Sequence, residues 1–191
     1  MTETIKIGVL CGSLRAGSFN EMLGQFVARK IAEDGGVEID ALSLMELDLP
    51  MLSPDIDGIP ENVGRFKDWM ISCDAILVSS PEFNGSLTGA LKNAIDWASS
   101  PRPGEKPFEC FQGKACGLLS ASPGGMGGLQ GLVHARQILT RLQMHVIPAE
   151  YALGNAHEAF DDAGNIKDEK SAAMAANVGR EMVRVCRALK G

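Results

Sequence analysis

Ile5-Lys6-Ile7-Gly8-Val9-Leu10 is a short apolar and β-branched run that breaks directly into Cys11-Gly12-Ser13-Leu14-Arg15-Ala16-Gly17-Ser18-Phe19-Asn20. The run reads as a buried strand, and the Gly/Ser stretch as the loop that turns it into a helix. Beyond the loop, Leu23, Phe26, Val27 and Ile31 recur at helical spacing until Gly35-Gly36 stops the pattern. The same alternation runs on along the chain. Residues 37–44 predict a second strand, 75–79 a third, 114–121 a fourth and 145–149 a fifth. Helices are predicted around Val63, Phe66 and Met70, over 87–98, over 129–142, and over 169–190 with Met182, Val185, Cys186 and Leu189 buried. Strands alternating with helices mean right-handed βαβ units and a parallel sheet covered on both faces. Residues 46–62, with Pro50, Pro54, Gly58 and Pro60, predict an ordered loop over the sheet edge or an oligomer contact.

The 191 residues suit one domain, 1–191, and no internal repeat, linker or low-complexity segment interrupts it. Hydrophobic residues make 45% and charged residues 22%, which excludes a disordered or collagen-like chain. Eighteen Lys and Arg against 24 Asp and Glu give a net charge of −6, which argues against nucleic acid and anionic membrane as partners. The longest apolar runs fall far short of the roughly 18 residues of a membrane span, and Met1-Thr2-Glu3-Thr4-Ile5-Lys6 has no signal-peptide pattern, so a cytoplasmic soluble protein is expected. The five cysteines are odd in number and scattered. With His134, His145 and His157 also unclustered, neither a disulfide framework nor a metal site is expected. Cys11 has no nearby His and predicts a small buried apolar role.

In an open parallel sheet, ligands bind at the carboxyl ends of strands where strand order reverses, which directs attention to the loops after the first, third and fourth strands. The first offers Ser13, Ser18, Arg15 and the free N–H groups of a helix N-terminus, a set suited to a terminal phosphate dianion. It lacks the spacing of a dinucleotide or nucleoside-triphosphate loop, and Ser18 or Asn20 also suits a simple helix cap. In the second, Ser80-Pro81-Glu82-Phe83-Asn84-Gly85-Ser86 joins a rigid Pro, an aromatic ring and a turn-forming Asn-Gly. It either lines a flat heteroaromatic ring or lets Phe83 pack into the core. The third, Ser122-Pro123-Gly124-Gly125-Met126-Gly127-Gly128, is bare enough that something approaches its backbone closely, or it is flexible.

These three loops, together with Gly89-Ala90-Leu91-Lys92-Asn93-Ala94-Ile95-Asp96-Trp97, resemble the NADPH-dependent FMN reductase family, which includes chromate and quinone reductases and flavin-dependent azoreductases. The resemblance implies a flavodoxin-like, doubly wound five-stranded parallel sheet in the order 2-1-3-4-5, bound FMN, NADPH or NADH as electron donor, and a homodimer or homotetramer. Carried over by position, Ser13, Arg15, Ser18 and Asn20, with the amide of Phe19, hold the FMN phosphate. Pro81, Glu82, Phe83, Asn84 and Gly85 border the isoalloxazine, and Ser122, Pro123, Gly124 and Gly125 line its other side. Many members carry Tyr where this chain has Phe83, which removes a phenol hydroxyl from the site.

The implied reaction is ping-pong hydride transfer from nicotinamide through flavin N5 to a small-molecule acceptor: a quinone, an azo dye, free flavin or an oxidised metal ion. The cofactor carries the chemistry, so no catalytic side chain is expected, and Glu82 is expected to be solvated and to orient its loop. Arg102, Lys106 and Arg136 are the basic groups considered for a nucleotide 2′-phosphate. An electron carrier of flavodoxin type and an FMN-binding sensor are the alternatives from other functional classes.

Overall fold

The computed structural model describes residues 4–191. In chain order the elements are β1 (Ile5–Cys11), α1 (Phe19–Glu33), β2 (Val37–Ser43), α2 (Leu44–Leu47), α3 (Glu61–Ser72), β3 (Ala75–Ser79), β4 (Glu82–Phe83), β5 (Ser86–Leu87), α4 (Gly89–Ser99), β6 (Ala115–Ala121), α5 (Leu129–Arg141), β7 (His145–Leu153), α6 (Ala156–Ala159) and α7 (Glu169–Lys190). Five strands form a parallel sheet ordered β2-β1-β3-β6-β7, with β4 and β5 paired apart as a hairpin. Counting only the strands of the large sheet, this is the flavodoxin-like order 2-1-3-4-5.

The central strands β3 and β6 are buried at every residue, as expected of strands covered on both faces. On one face Leu23, Phe26, Val27 and Ile31 of α1 pack with Val178, Met182 and Cys186 of α7 against Ile7, Val9 and Leu77. On the other, α3, α4 and α5 bring Phe66, Leu91, Ile95 and Leu139 onto Leu10, Ile76, Val78 and Leu118. The C-terminal helix departs from expectation toward its end: Val185 is half-buried and Leu189 is 45% exposed, in a last turn whose residues 187–190 are all exposed.

The fifth strand is longer than its sequence suggests. Pro148 lies in β7, which is an edge strand, and the pairing steps from Cys116 opposite Val146 to Leu118 opposite Glu150 before continuing to Leu153. An edge position and a local bulge are what let a strand carry a Pro without losing its ladder. The expected helix at 87 begins instead at Gly89, because Asn84 and Gly85 both take positive φ and fold residues 82–87 into a tight hairpin. Within the predicted loop 46–62, α2 extends to Leu47, α3 already begins at Glu61, and the stretch between is pinned to α4 at Pro50 and Leu52: Asn93 accepts from the Leu52 N–H, and Asn93 and Trp97 both donate to the Pro50 carbonyl. At the opposite edge of the sheet, the fully buried Lys67 donates to the carbonyls of Ala98 and Ser100 and pairs with Glu105. It thereby fixes the Pro/Gly-rich segment that leads into the start of β6.

Candidate functional site

The carboxyl ends of β1, β3 and β6 meet in one crevice. The loops are held together by backbone bonds: the Gly12 N–H donates to the Ser79 carbonyl, and the Ser80 N–H to that of Leu119. Gly12 is required here, since a Cβ on it would lie 2.4 Å from Ser80 Oγ. In the first loop Ser18 is the N-cap of α1, its Oγ accepting from the Glu21 N–H. The N–H groups of Phe19 and Asn20, in the first helical turn, then have no intrahelical partner. Arg15 is exposed in the same loop, and Ser13 Oγ accepts from the Arg15 N–H. Cys11 is buried, and burial holds its thiol above the ordinary range, so it is no nucleophile.

Asn20 does not take the place the resemblance gives it. Its carboxamide is buried and bonded to the backbone of Ala121 at both ends, which leaves only its main-chain N–H, in the first turn of α1, without an intrahelical partner.

The hairpin β4–β5 presents Phe83, 63% exposed, with Asn84 exposed beside it and Pro81 and Gly85 half-buried. Of the two readings of Phe83, packing into the core is therefore excluded. Glu82 is half-buried, and it orients its loop by accepting from the Gly131 N–H in the first turn of α5, where a carboxylate is favoured by the helix dipole. Ser86 Oγ lies 2.9 Å from His134 Nδ1, a second tie between hairpin and α5. Thr88 caps α4 by accepting from the Leu91 N–H and donates to the Gly12 carbonyl, binding the second loop to the first. The sequence marked neither Thr88 nor His134, although a Thr directly before Gly89-Ala90-Leu91 is a recognisable helix-cap signal.

The third loop is ordered rather than flexible. Ser122 Oγ accepts from the Gly124 N–H, the Gly124 carbonyl accepts from the Gly127 N–H, and the Ser122 carbonyl accepts from Ala156. Its glycines divide by cause. Gly127 and Gly128 are small because the backbone of Ala152 and Leu153 and the side chain of Ser120 crowd them, whereas Gly125 has nothing within 4 Å of a would-be Cβ. Gly124 and Gly125 therefore leave exposed backbone facing outward next to Ser122 and Pro123.

The basic groups considered for a 2′-phosphate lie elsewhere. Arg102 pairs with Asp68 and Glu105 at the amino edge of the sheet, in the same segment as Lys106, and Arg136 is bonded to Glu150 and to the carbonyls of Val146 and Ile147. The chain positions of Arg102 and Arg136 alone did not show that both guanidinium groups already had internal partners.

The donor set fits FMN. A terminal phosphate matches the open N–H groups of α1 with Arg15 in the same loop, and an exposed aromatic face and exposed glycine backbone are surfaces of the kind a flat ring lies against. Fold and site together define a flavodoxin-like oxidoreductase. The chain belongs to the NADPH-dependent FMN reductase family, whose model matches residues 5–158. It is 36% identical over 174 residues to an NAD(P)H-dependent FMN reductase of Pseudomonas aeruginosa, covering 90% of this chain and 89% of the relative. It is 38% identical over 186 residues to a quinone reductase of Pseudomonas putida, covering 94% of each. Among solved structures, the flavoenzyme NAD(P)H:(acceptor) oxidoreductase FerB of Paracoccus denitrificans superposes with a TM-score of 0.83 at 29% identity, over 96% of this chain and 98% of FerB. Among the described residues no helix is long and apolar enough to cross a membrane.

Proposed function

We propose that the chain is one FMN-binding domain that oxidises NADPH or NADH and reduces a small-molecule acceptor, a quinone, azo compound, free flavin or oxidised metal ion, by ping-pong kinetics in the cytoplasm. The observation that carries this reading is the meeting of three different surfaces at one sheet edge: open N–H donors with Arg15, the exposed face of Phe83, and the bare backbone of Gly124-Gly125. Ser13, Arg15, Ser18 and the amides of Phe19 and Asn20 would hold the phosphate. Pro81, Glu82, Phe83, Asn84 and Gly85 would border one side of the ring, and Ser122, Pro123, Gly124 and Gly125 the other. Bound there, FMN would supply the two-electron chemistry, accepting hydride from the nicotinamide and passing its two electrons on to the acceptor.

The protein's contribution is placement. Glu82 and Thr88 fix the hairpin so that the Phe83 face stays presented, and the side-chain-free wall leaves room for a second flat molecule. An electron carrier would more naturally sandwich the ring between aromatics; here one wall is glycine. The exposed apolar side chains Leu14, Met45 and Met51 beside α4 suit a homodimer or homotetramer with this face covered. Two measurements test the proposal: the absorbance spectrum of purified protein, expected to show about one flavin per chain, and steady-state NADPH oxidation with a small quinone. A flavin-loaded protein inert in the second assay would be a carrier or sensor instead.

A further inference from the structure

β3 supplies only part of the ladder that β6 requires. The two strands pair as far as Ser79 opposite Leu119, the Ser80 N–H makes one more bond to the Leu119 carbonyl, and at Pro81 the chain leaves for the hairpin. Ala121 is two residues beyond Leu119, so its N–H and C=O point to the same edge, where no strand remains. Both groups are nevertheless satisfied. Asn20 Nδ2 donates to the Ala121 carbonyl at 2.9 Å, and the Ala121 N–H donates to Asn20 Oδ1 at 2.8 Å. The Asn20 carbonyl is held in turn by Ser79 Oγ at 2.7 Å, the last residue of β3. Asn20 is 3% exposed and Ser79 fully buried. One carboxamide thus replaces a missing rung of the sheet, and does so between the first turn of α1 and the residue that precedes Ser122.

We propose that Asn20 is a positioning residue: it lets β3 depart at Pro81 while holding the glycine loop at the distance from the phosphate turn that a flavin ring needs, and its side chain is not a phosphate contact. The inference rests on the FMN reading above. It makes Asn20 and Arg15 behave differently toward two ligands that differ only in the phosphate. In titrations of the apo-protein, Arg15→Ala is expected to weaken FMN about 10- to 100-fold and leave riboflavin nearly unchanged, because one charge-assisted contact is lost. Asn20→Ala is expected to weaken both flavins by a common factor of about ten, because two buried backbone groups lose their partners and the loop moves. At saturating FMN the same variant is expected to show a shifted flavin reduction potential, which a residue serving only stability leaves alone.

Loss of FMN affinity with riboflavin unaffected, no loss for either flavin, or an unchanged potential overturns the proposal. A measurement on the unaltered apo-protein stands if Asn20→Ala does not fold. On titration with inorganic phosphate, the backbone amide resonances of Phe19 and Asn20 are expected to move and the Asn20 side-chain NH₂ pair to stay. Side-chain resonances that follow the phosphate overturn the assignment. A parent chain that binds neither flavin removes the FMN reading itself, whereas one that binds both while Asn20→Ala fails these criteria removes only the positioning role.

Discussion

Gly128 shows how closely single residues are constrained near this crevice. It sits at φ +89, and a Cβ there would come within 2.1 Å of Ser120 Oγ, a buried hydroxyl with no hydrogen-bond partner among the described residues. Gly128→Ala is expected to cost about 1 to 3 kcal/mol from backbone strain alone, plus the clash. Combining it with Ser120→Ala should recover the clash and not the strain, while Ser120→Ala by itself should be near neutral, since an unpaired hydroxyl contributes no bond. Urea unfolding of the three variants checks the order. At Phe83 the expectation is kinetic. Phe83→Tyr keeps the ring face, so FMN affinity should hold, while turnover with polar acceptors changes because a hydroxyl enters the open side. Identical constants for every acceptor would take the residue out of the acceptor site. Ser18 as the cap of α1 was legible in the sequence, because a Ser directly before a helical pattern is a capping signal. Asn20 was not, since its partner Ala121 is 101 positions away and only the fold brings the two together.

At the scale of elements, the parallel strands could be read from the sequence because burial on both faces forces an unbroken apolar run, as in Ala75–Ser79. The hairpin was not read as one: strands of two residues have no period to detect, and only the Asn84-Gly85 turn marked the place. The extension of β7 past Pro148 was missed for a different reason, since a local sequence cannot tell an edge strand from a central one. Thr88 joins three elements, capping α4, following β5 and bonding the loop after β1. Thr88→Val preserves its buried shape and removes both bonds, so a loss of about 1 to 2 kcal/mol in thermal or urea unfolding is expected. FMN should stabilise this variant less than the parent, because the phosphate loop loses its tie to the hairpin.

For the whole molecule, all five cysteines are buried and free. Burial pushes the thiol of Cys110 up to about 11 and that of Cys116 up to about 12, from an ordinary 9.0. Below pH 9 these thiols are protonated folded or unfolded and contribute nothing to the pH dependence. Between pH 9 and about 11 to 12 the unfolded chain gives up protons that the folded chain retains, so stability falls as pH rises. The urea midpoint is therefore expected to drop from pH 8 to pH 10.5, and to drop less in a Cys110→Ala, Cys116→Ala double variant. Equal slopes in the two proteins would assign the alkaline loss to other groups.

The helix that completes one face of the sheet, α7, follows all five of the sheet's strands in chain order. It packs on α1, β6 and β7 and, to a lesser extent, on β3, a strand that ends ninety residues before α7 begins. During synthesis, then, the opposite face can be covered as soon as α5 emerges, whereas on this face α1 covers β1 and β2 early and Ala115, Leu119 and Ile147 of β6 and β7 wait for α7 to clear the ribosome. The nascent protein passes through a stage with that part of its core exposed, and it is in that interval, rather than in the finished fold, that it is most exposed to aggregation and in need of a chaperone.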